Sequence, residues 1–159
     1  MTAFLTTIEN SGLSTWLRES NSIWAYPTVL TLHTIGMAIL VGASFVVHLR
    51  ILQVANGIPL QRLQQLYRFI WIGFIINLAT GLVLFVTQAA DRVVDPVFYV
   101  KIGSIAIALW FGVLVKRRAI DPGVVSPGAT RQSRSLAAAS LGLWVVAIVA
   151  GRLMAYLTS

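Results

Sequence analysis

The sequence predicts an all-α protein, an integral membrane four-helix bundle that forms one domain over residues 1–159. Hydrophobic residues make up 57% of the chain and charged residues only 11%, a composition that is typical of membrane proteins. Four apolar runs are long enough to cross a bilayer as helices. A soluble protein of this length is too small to bury all four runs, so the lipid bilayer is the expected surrounding of the chain.

The apolar runs and the turn signals between them set the bounds of the predicted helices. Transmembrane helices are predicted at about 23–52, 69–87, 97–115 and 136–157. Residues 56–59, Asn-Gly-Ile-Pro, are a turn signal, and the LQRLQQLYR stretch that follows is predicted to extend the second helix beyond the membrane. The connection over residues 91–96 is short, which makes the second and third helices antiparallel neighbours. Residues 3–20 are mildly amphipathic and indicate an interfacial helix on the outer surface, with a loosely ordered tail as the alternative.

The distribution of basic residues predicts the orientation. The formal net charge is +7, but most of the basic side chains lie in the loops after the first and third helices. These two loops hold Arg50, Arg62, Arg68, Lys116, Arg117, Arg118, Arg131 and Arg134. The positive-inside rule places them in the cytoplasm and both termini on the outer, periplasmic side of a bacterial cell inner membrane. Because the charge follows this rule, we expect no nucleic-acid partner.

The first predicted helix carries both histidines of the chain. His33 lies seven residues past Tyr26, about 10 Å deeper along the helix axis, which places its imidazole inside the membrane. Polar side chains at such depth are costly and usually functional. The alternative for His33 is a hydrogen bond to the backbone of a neighbouring helix.

Each of the four predicted helices contributes one polar side chain to the outer leaflet: His33, Asn77, Lys101 and Arg152. Haem b needs such a set, because an imidazole ligates its iron while the two propionates pair with Lys or Arg near the surface. The sequence therefore predicts haem b with His33 as the axial metal ligand, Lys101 and Arg152 as propionate partners, and Asn77 in the site. Such a protein would serve electron transfer or a haem-linked oxidation. For Lys101 and Arg152, the alternative is snorkelling of each side chain to the headgroups.

The second histidine, His48, lies about 22 Å further along the first helix, near the cytoplasmic boundary. We interpret it as a histidine that faces the headgroups. The alternative is a cofactor ligand, because two histidines at this separation are typical of b-type cytochromes with two haems. A second haem would need its other ligand from a partner chain, since the sequence contains only 2 histidines.

Several chemistries are excluded by composition. There is no cysteine, which rules out disulfides, iron–sulfur clusters and thiolate metal sites. The acidic residues all fall outside the apolar runs, which argues against carboxylate-based transport through the bundle. The sequence contains no nucleophilic triad, phosphate loop or zinc motif, and whether the protein is an enzyme stays open.

Two further hypotheses stay open beside haem binding. A non-enzymatic accessory subunit of a larger membrane complex, or a homo-oligomer, would pack through small residues that recur every four positions. Three such stripes are present, namely Gly73, Asn77 and Gly81; Ser104, Ala108 and Gly112; and Ala147, Gly151 and Ala155. A copper-handling protein would bind soft Cu(I) through His33 and Met37, which lie one turn apart on the same helix face.

A set of short motifs is shared with a known group of proteins. The motifs are Trp24 and Pro27, His33 with Gly36, Gly42, Leu49-Arg50, Thr80-Gly81-Leu82 and Phe98-x-x-Lys101. Together they resemble a superfamily of small four-helix bacterial membrane proteins, over about residues 22–157. The superfamily includes the membrane-type protoporphyrinogen oxidases (HemJ-like), the copper-resistance CopD-like proteins and uncharacterised relatives. The closing LWVVAIVAGRLMAY is similar to the uncharacterised branch.

The resemblance carries an expectation about the cofactor. In the protoporphyrinogen oxidase branch, a histidine of the first helix and a lysine of the third are associated with haem b and activity. Those positions match His33 and Lys101, so the resemblance implies a haem-binding bundle. The loop after the first helix and the fourth helix depart from that branch, so the resemblance does not imply its oxidase reaction. The CopD-like branch would imply copper handling.

Overall fold

Four long helices dominate a computed structural model of the chain, which describes residues 12, 15, 24–121 and 129–157. The helices are α1 (Ala25–Ile51), α2 (Leu60–Val86), a short α3 (Ala89–Val94), α4 (Pro96–Ala119) and α5 (Arg131–Leu157). Helix accounts for 87% of this part of the chain, and it contains no strand. Each long helix has a segment apolar and long enough to cross a membrane, which confirms the all-α class and the multi-pass character. Apart from positions 12 and 15, the predicted interfacial helix at 3–20 lies outside the described residues.

Side-chain caps fix the starts of α4 and α5. Asp95 accepts a hydrogen bond from the Val97 backbone N–H at 2.8 Å, and Pro96 occupies the first position of α4, an arrangement that favours a helix start. Thr130 does the same for α5, where its Oγ1 accepts from the Ser133 N–H at 3.1 Å. α2 begins directly after Pro59, so the LQRLQQLYR stretch forms its first turns.

The short helix α3 is a difference from the sequence-based expectation. Residues 91–96 were predicted only as a connection between the second and third transmembrane helices, but most of that segment is helical. Asp91 lies in the first turn of α3 and Arg92 in its last turn, where each charge opposes the nearby end of the helix dipole. Asp95 is extended, with φ −82° and ψ 113°, as expected for a residue that precedes proline.

The helices pack as two antiparallel hairpins. α1 packs along α2, α4 packs along α5, and the hairpins meet mainly through α1 and α5. The backbones of α1 and α2 are in close contact where the two helices cross. A Cβ added to Gly73 would lie only 2.6 Å from the Leu40 nitrogen, and one added to Gly36 would lie 2.9 Å from the Asn77 nitrogen. Glycine at both positions permits this approach.

The small-residue stripes are therefore used inside the chain. Ser104, Ala108 and Gly112 are buried on α4, and Ser140 of α5 donates to the Ala108 carbonyl at 3.0 Å. Ala147 is buried too, while the Ala155 side chain lies outside the described part. The accessory-subunit hypothesis depended on these stripes, so a partner would have to bind elsewhere on the bundle.

Candidate functional site

The His33 imidazole projects from α1 toward α2. Its Nδ1 lies 3.0 Å from Thr80 Oγ1, and the Thr80 hydroxyl donates its own hydrogen to the Ile76 carbonyl at 2.6 Å. A hydroxyl has one hydrogen, so Thr80 accepts the hydrogen bond and His33 donates it from Nδ1. In the neutral ring the other nitrogen, Nε2, then carries the lone pair, and neutral imidazole is the form that binds a metal.

Two residues of α2 fix the position of His33. A Cβ added to Gly81 would lie 3.1 Å from His33 Cε1, so the ring packs in the space that the missing side chain leaves. Asn77 donates from its amide to the His33 backbone carbonyl at 3.0 Å. The sequence placed Asn77 in the site as a cofactor residue, and the structure shows that its amide holds α1 against α2 at this level.

Lys101 approaches His33 from the other hairpin. Its side chain runs over Gly151 of α5, where an added Cβ would lie 3.5 Å from Cε and 3.6 Å from Nζ. Lys101 is half-buried, and its ammonium makes no hydrogen bond or ion pair with any residue that the structure describes. It is near enough to His33 for its charge to act on the ring. The structure therefore brings these two predicted residues to the same end of the bundle.

Arg92 is a further cation at this end of the bundle, and sequence reasoning did not select it for the site. Arg92 lies in α3. Its Nη2 is 2.5 Å from Gln88 Oε1, and its Nη1 is 3.5 Å from the Met154 carbonyl oxygen. Its Nη1 is 3.9 Å from Asp95 Oδ2, and its charge acts on Lys101. Its position four residues after Gln88 and just before the Lys101 helix was the signal that the sequence offered.

Arg152 stands apart from this group. It is exposed, and its guanidinium lies over the Tyr156 ring, with Cζ 5.4 Å from the centroid. The preceding residue, Gly151, faces Lys101, and one residue corresponds to about 100° of rotation around a helix. Arg152 therefore does not share the site of Lys101, as its predicted role beside Lys101 as a propionate partner requires, and its exposed position is the one that the snorkelling alternative predicts.

His48 corrects the sequence interpretation most clearly. It is 1% exposed, so it does not face the headgroups. Its Nδ1 donates to the Ser44 carbonyl at 2.5 Å, and it lines a cavity of about 10 Å³ between the helices. The interpretation of His48 as a histidine that faces the headgroups is therefore wrong, while the alternative of a second haem ligand stays a prediction. The sequence did contain a signal that His48 is buried. Gly36, Leu40, Ser44 and His48 recur every four residues, so they share one helix face, and all four are buried.

Comparisons with protein-family models, with curated proteins and with solved structures found no match to this chain. Across the described residues there is no group of three or more His, Cys, Asp or Glu side chains that could hold a metal ion. Copper handling through His33 and Met37 stays a prediction. The arrangement of His33, Thr80, Lys101 and Arg92, hereafter the His33 site, is the basis on which a function can be argued.

Proposed function

We propose that the chain binds one haem b at the His33 site and serves electron transfer in a bacterial inner membrane. The observation that carries the proposal is the pairing of a metal-competent imidazole nitrogen with a half-buried ammonium that has no partner among the described residues. Axial ligation by histidine and pairing of propionates with cations are the two requirements of a protein-bound haem b.

The charges at the site fit an anionic ligand. An ammonium that is partly removed from water is costly unless an anion compensates it, and Lys101 has no such anion in the described part of the chain. Arg92 adds a second positive charge beside it. Two cations at one end of the bundle match two propionates, and Arg92 takes the role that the sequence assigned to Arg152.

Each residue of the site has a distinct task in this proposal. When bound, haem b supplies one-electron transfer. His33 would ligate the iron through Nε2. Thr80 would hold the ring in the tautomer that leaves Nε2 available, as outer hydrogen-bond partners do for metal-binding histidines. Asn77 fixes the backbone that carries the ring. Lys101 and Arg92 orient the ligand by binding its carboxylates.

A spectrum of the purified protein tests the proposal directly. The chain would be produced in cells supplied with a haem precursor and purified in mild detergent. We expect a Soret band in the oxidised protein and a sharp α band in the reduced-minus-oxidised difference spectrum, at about one haem per chain. A colourless protein that also fails to take up added haemin would contradict the proposal.

Replacing the two candidate propionate cations separates their roles. Lys101→Met is expected to weaken haem binding about tenfold, because it removes a charge-assisted hydrogen bond worth about 1.5 kcal/mol. Arg152→Met is expected to leave the affinity unchanged, since that side chain stacks on Tyr156. Haemin titration of the apoprotein measures both. Wild-type affinity in Lys101→Met would show that the assignment to Lys101 is wrong, and a loss in Arg152→Met would show that Arg152 also binds the ligand.

The Thr80 hydroxyl is expected to tune the affinity for haem. Thr80→Val removes the acceptor that holds His33 Nδ1–H, and loss of such an outer partner typically costs 10- to 100-fold in metal affinity. Thr34→Val is the matched control, because its hydroxyl is exposed and bonds only the Leu30 carbonyl of its own helix. A haem titration in which both variants bind like the wild type would argue against ligation by His33.

We also propose that both termini lie on the outer side, as the distribution of basic residues indicates. The chain has no cysteine, so single cysteines can be labelled without background. In intact cells, a membrane-impermeant maleimide is expected to label Asp91→Cys and to spare Gly57→Cys, both at exposed positions. After lysis both should react. The opposite pattern in intact cells would invert the topology.

A further inference from the structure

Two buried polar atoms in the half of the bundle opposite the His33 site have no hydrogen-bond partner among the described residues. They are His48 Nε2 and Trp144 Nε1, and the two side chains are 1% and 2% exposed. Both side chains line the same cavity of about 10 Å³, together with Ser44, Tyr67 and Gly112. Buried polar groups in proteins are almost always hydrogen-bonded, so two such atoms beside one cavity point to a molecule that bonds them.

The hydrogen-bond chemistry of the cavity defines that molecule. His48 Nδ1 bonds a carbonyl, so it carries the ring hydrogen and Nε2 is an acceptor. Trp144 Nε1–H is a donor only. The hydroxyls of Ser44 and Tyr67 direct their hydrogens to the carbonyls of Leu40 and Gly112, and their oxygens can still accept. The occupant must therefore both donate and accept hydrogen bonds.

We propose that one water molecule binds in this cavity, donates to His48 Nε2 and accepts from Trp144 Nε1–H. The cavity has about the volume that a single water needs, and a buried water needs two to four polar partners. It would connect His48 of α1, Tyr67 of α2 and Trp144 of α5 beside the Gly112 backbone of α4. The water also gives His48 a partner from which it can take a proton, or to which it can pass one, without turning its ring.

Gly112→Ala tests whether the cavity is wet. A Cβ at Gly112 would lie 3.9 Å from His48 Nε2 and Cε1, which is ordinary contact without a clash, but it would take the space that the water needs. Gly103→Ala on the same helix is the matched control, because nothing lies within 4 Å of its Cβ. If water is bound, its displacement leaves two buried groups unsatisfied, and the ratio of unfolded to folded protein should rise about tenfold over Gly103→Ala. If the cavity is dry, the added methyl fills it, and Gly112→Ala should be at least as stable as the control.

Nuclear magnetic resonance detects the water itself. Protein labelled with ¹⁵N in His and Trp should show the His48 Nε2 shift of a hydrogen-bonded acceptor, and the Trp144 indole proton should give a cross-peak to water. Both signals should be lost in Gly112→Ala and kept in Gly103→Ala. A wild-type protein with no water cross-peak, or with a direct bond between the two side chains, would overturn the proposal.

Discussion

His33→Ala is expected to remove the haem spectrum of the purified protein. His33 is the residue at this end of the bundle to which we assign axial ligation, and its Nε2 is held available by the bond from Nδ1 to Thr80. Without the imidazole, the iron loses its protein ligand and the bound haem should fall at least about tenfold, the range seen when an outer partner alone is removed. Haem content per chain, from the reduced-minus-oxidised spectrum, measures the change.

Two additions make the His33→Ala result specific to ligation. Met37→Leu changes a neighbouring side chain one turn along α1 and conserves volume, so it should keep the wild-type spectrum. Added imidazole should restore the wild-type haem content to His33→Ala, because it can occupy the space of the missing ring. An unchanged Soret band in His33→Ala would mean that the ring is structural. A protein without haem that contains copper, and loses it in both variants, would support copper handling instead.

The four long helices could be predicted from sequence because hydropathy over some twenty residues outweighs every other local signal in a membrane protein. The short helix α3 could not. Its six residues, AADRVV, are too few to show a helical period, and the helix is defined by the break at Asp95 and Pro96. Because α3 was not predicted, the sequence did not show which way the Arg92 side chain points. Arg152 was chosen as the second cation from its depth in the membrane alone.

Depth and direction also explain what was right and wrong about the histidines. The depth of His33 separated it from the headgroups, and in the structure it lies at the same end of the bundle as Lys101. His48 was judged by depth as well, although its direction decides its surroundings. A helix residue near a boundary faces lipid, water or the bundle according to its angle, and the series from Gly36 through Leu40 and Ser44 to His48 faces the bundle. That His48 Nε2 lacks a hydrogen-bond partner among the described residues could not be predicted from the sequence, because it depends on how the four helices pack.

The crossing of α1 and α2 should be the most sensitive point of the fold. In Gly73→Ala, the new methyl would meet the Leu40 nitrogen at 2.6 Å, the Gly36 carbonyl oxygen at 2.9 Å and the Leu40 Cα at 3.0 Å. All three are backbone atoms, which cannot rotate away, so the helices must separate. We expect a loss of about 2–4 kcal/mol in the free energy of unfolding, measured by steric trapping or by unfolding in mixed detergent micelles.

Separation of α1 and α2 should also displace His33, because Asn77 donates a hydrogen bond to the His33 carbonyl about one turn from Gly73. Gly73→Ala is therefore expected to weaken haem binding as well as stability. Gly42→Ala, on α1, is the matched control: its Cβ meets nothing within 4 Å, and alanine is the better helix former by about 1 kcal/mol, so it should be neutral or stabilising. If Gly73→Ala were as stable as Gly42→Ala, the two backbones could not be in contact at this crossing.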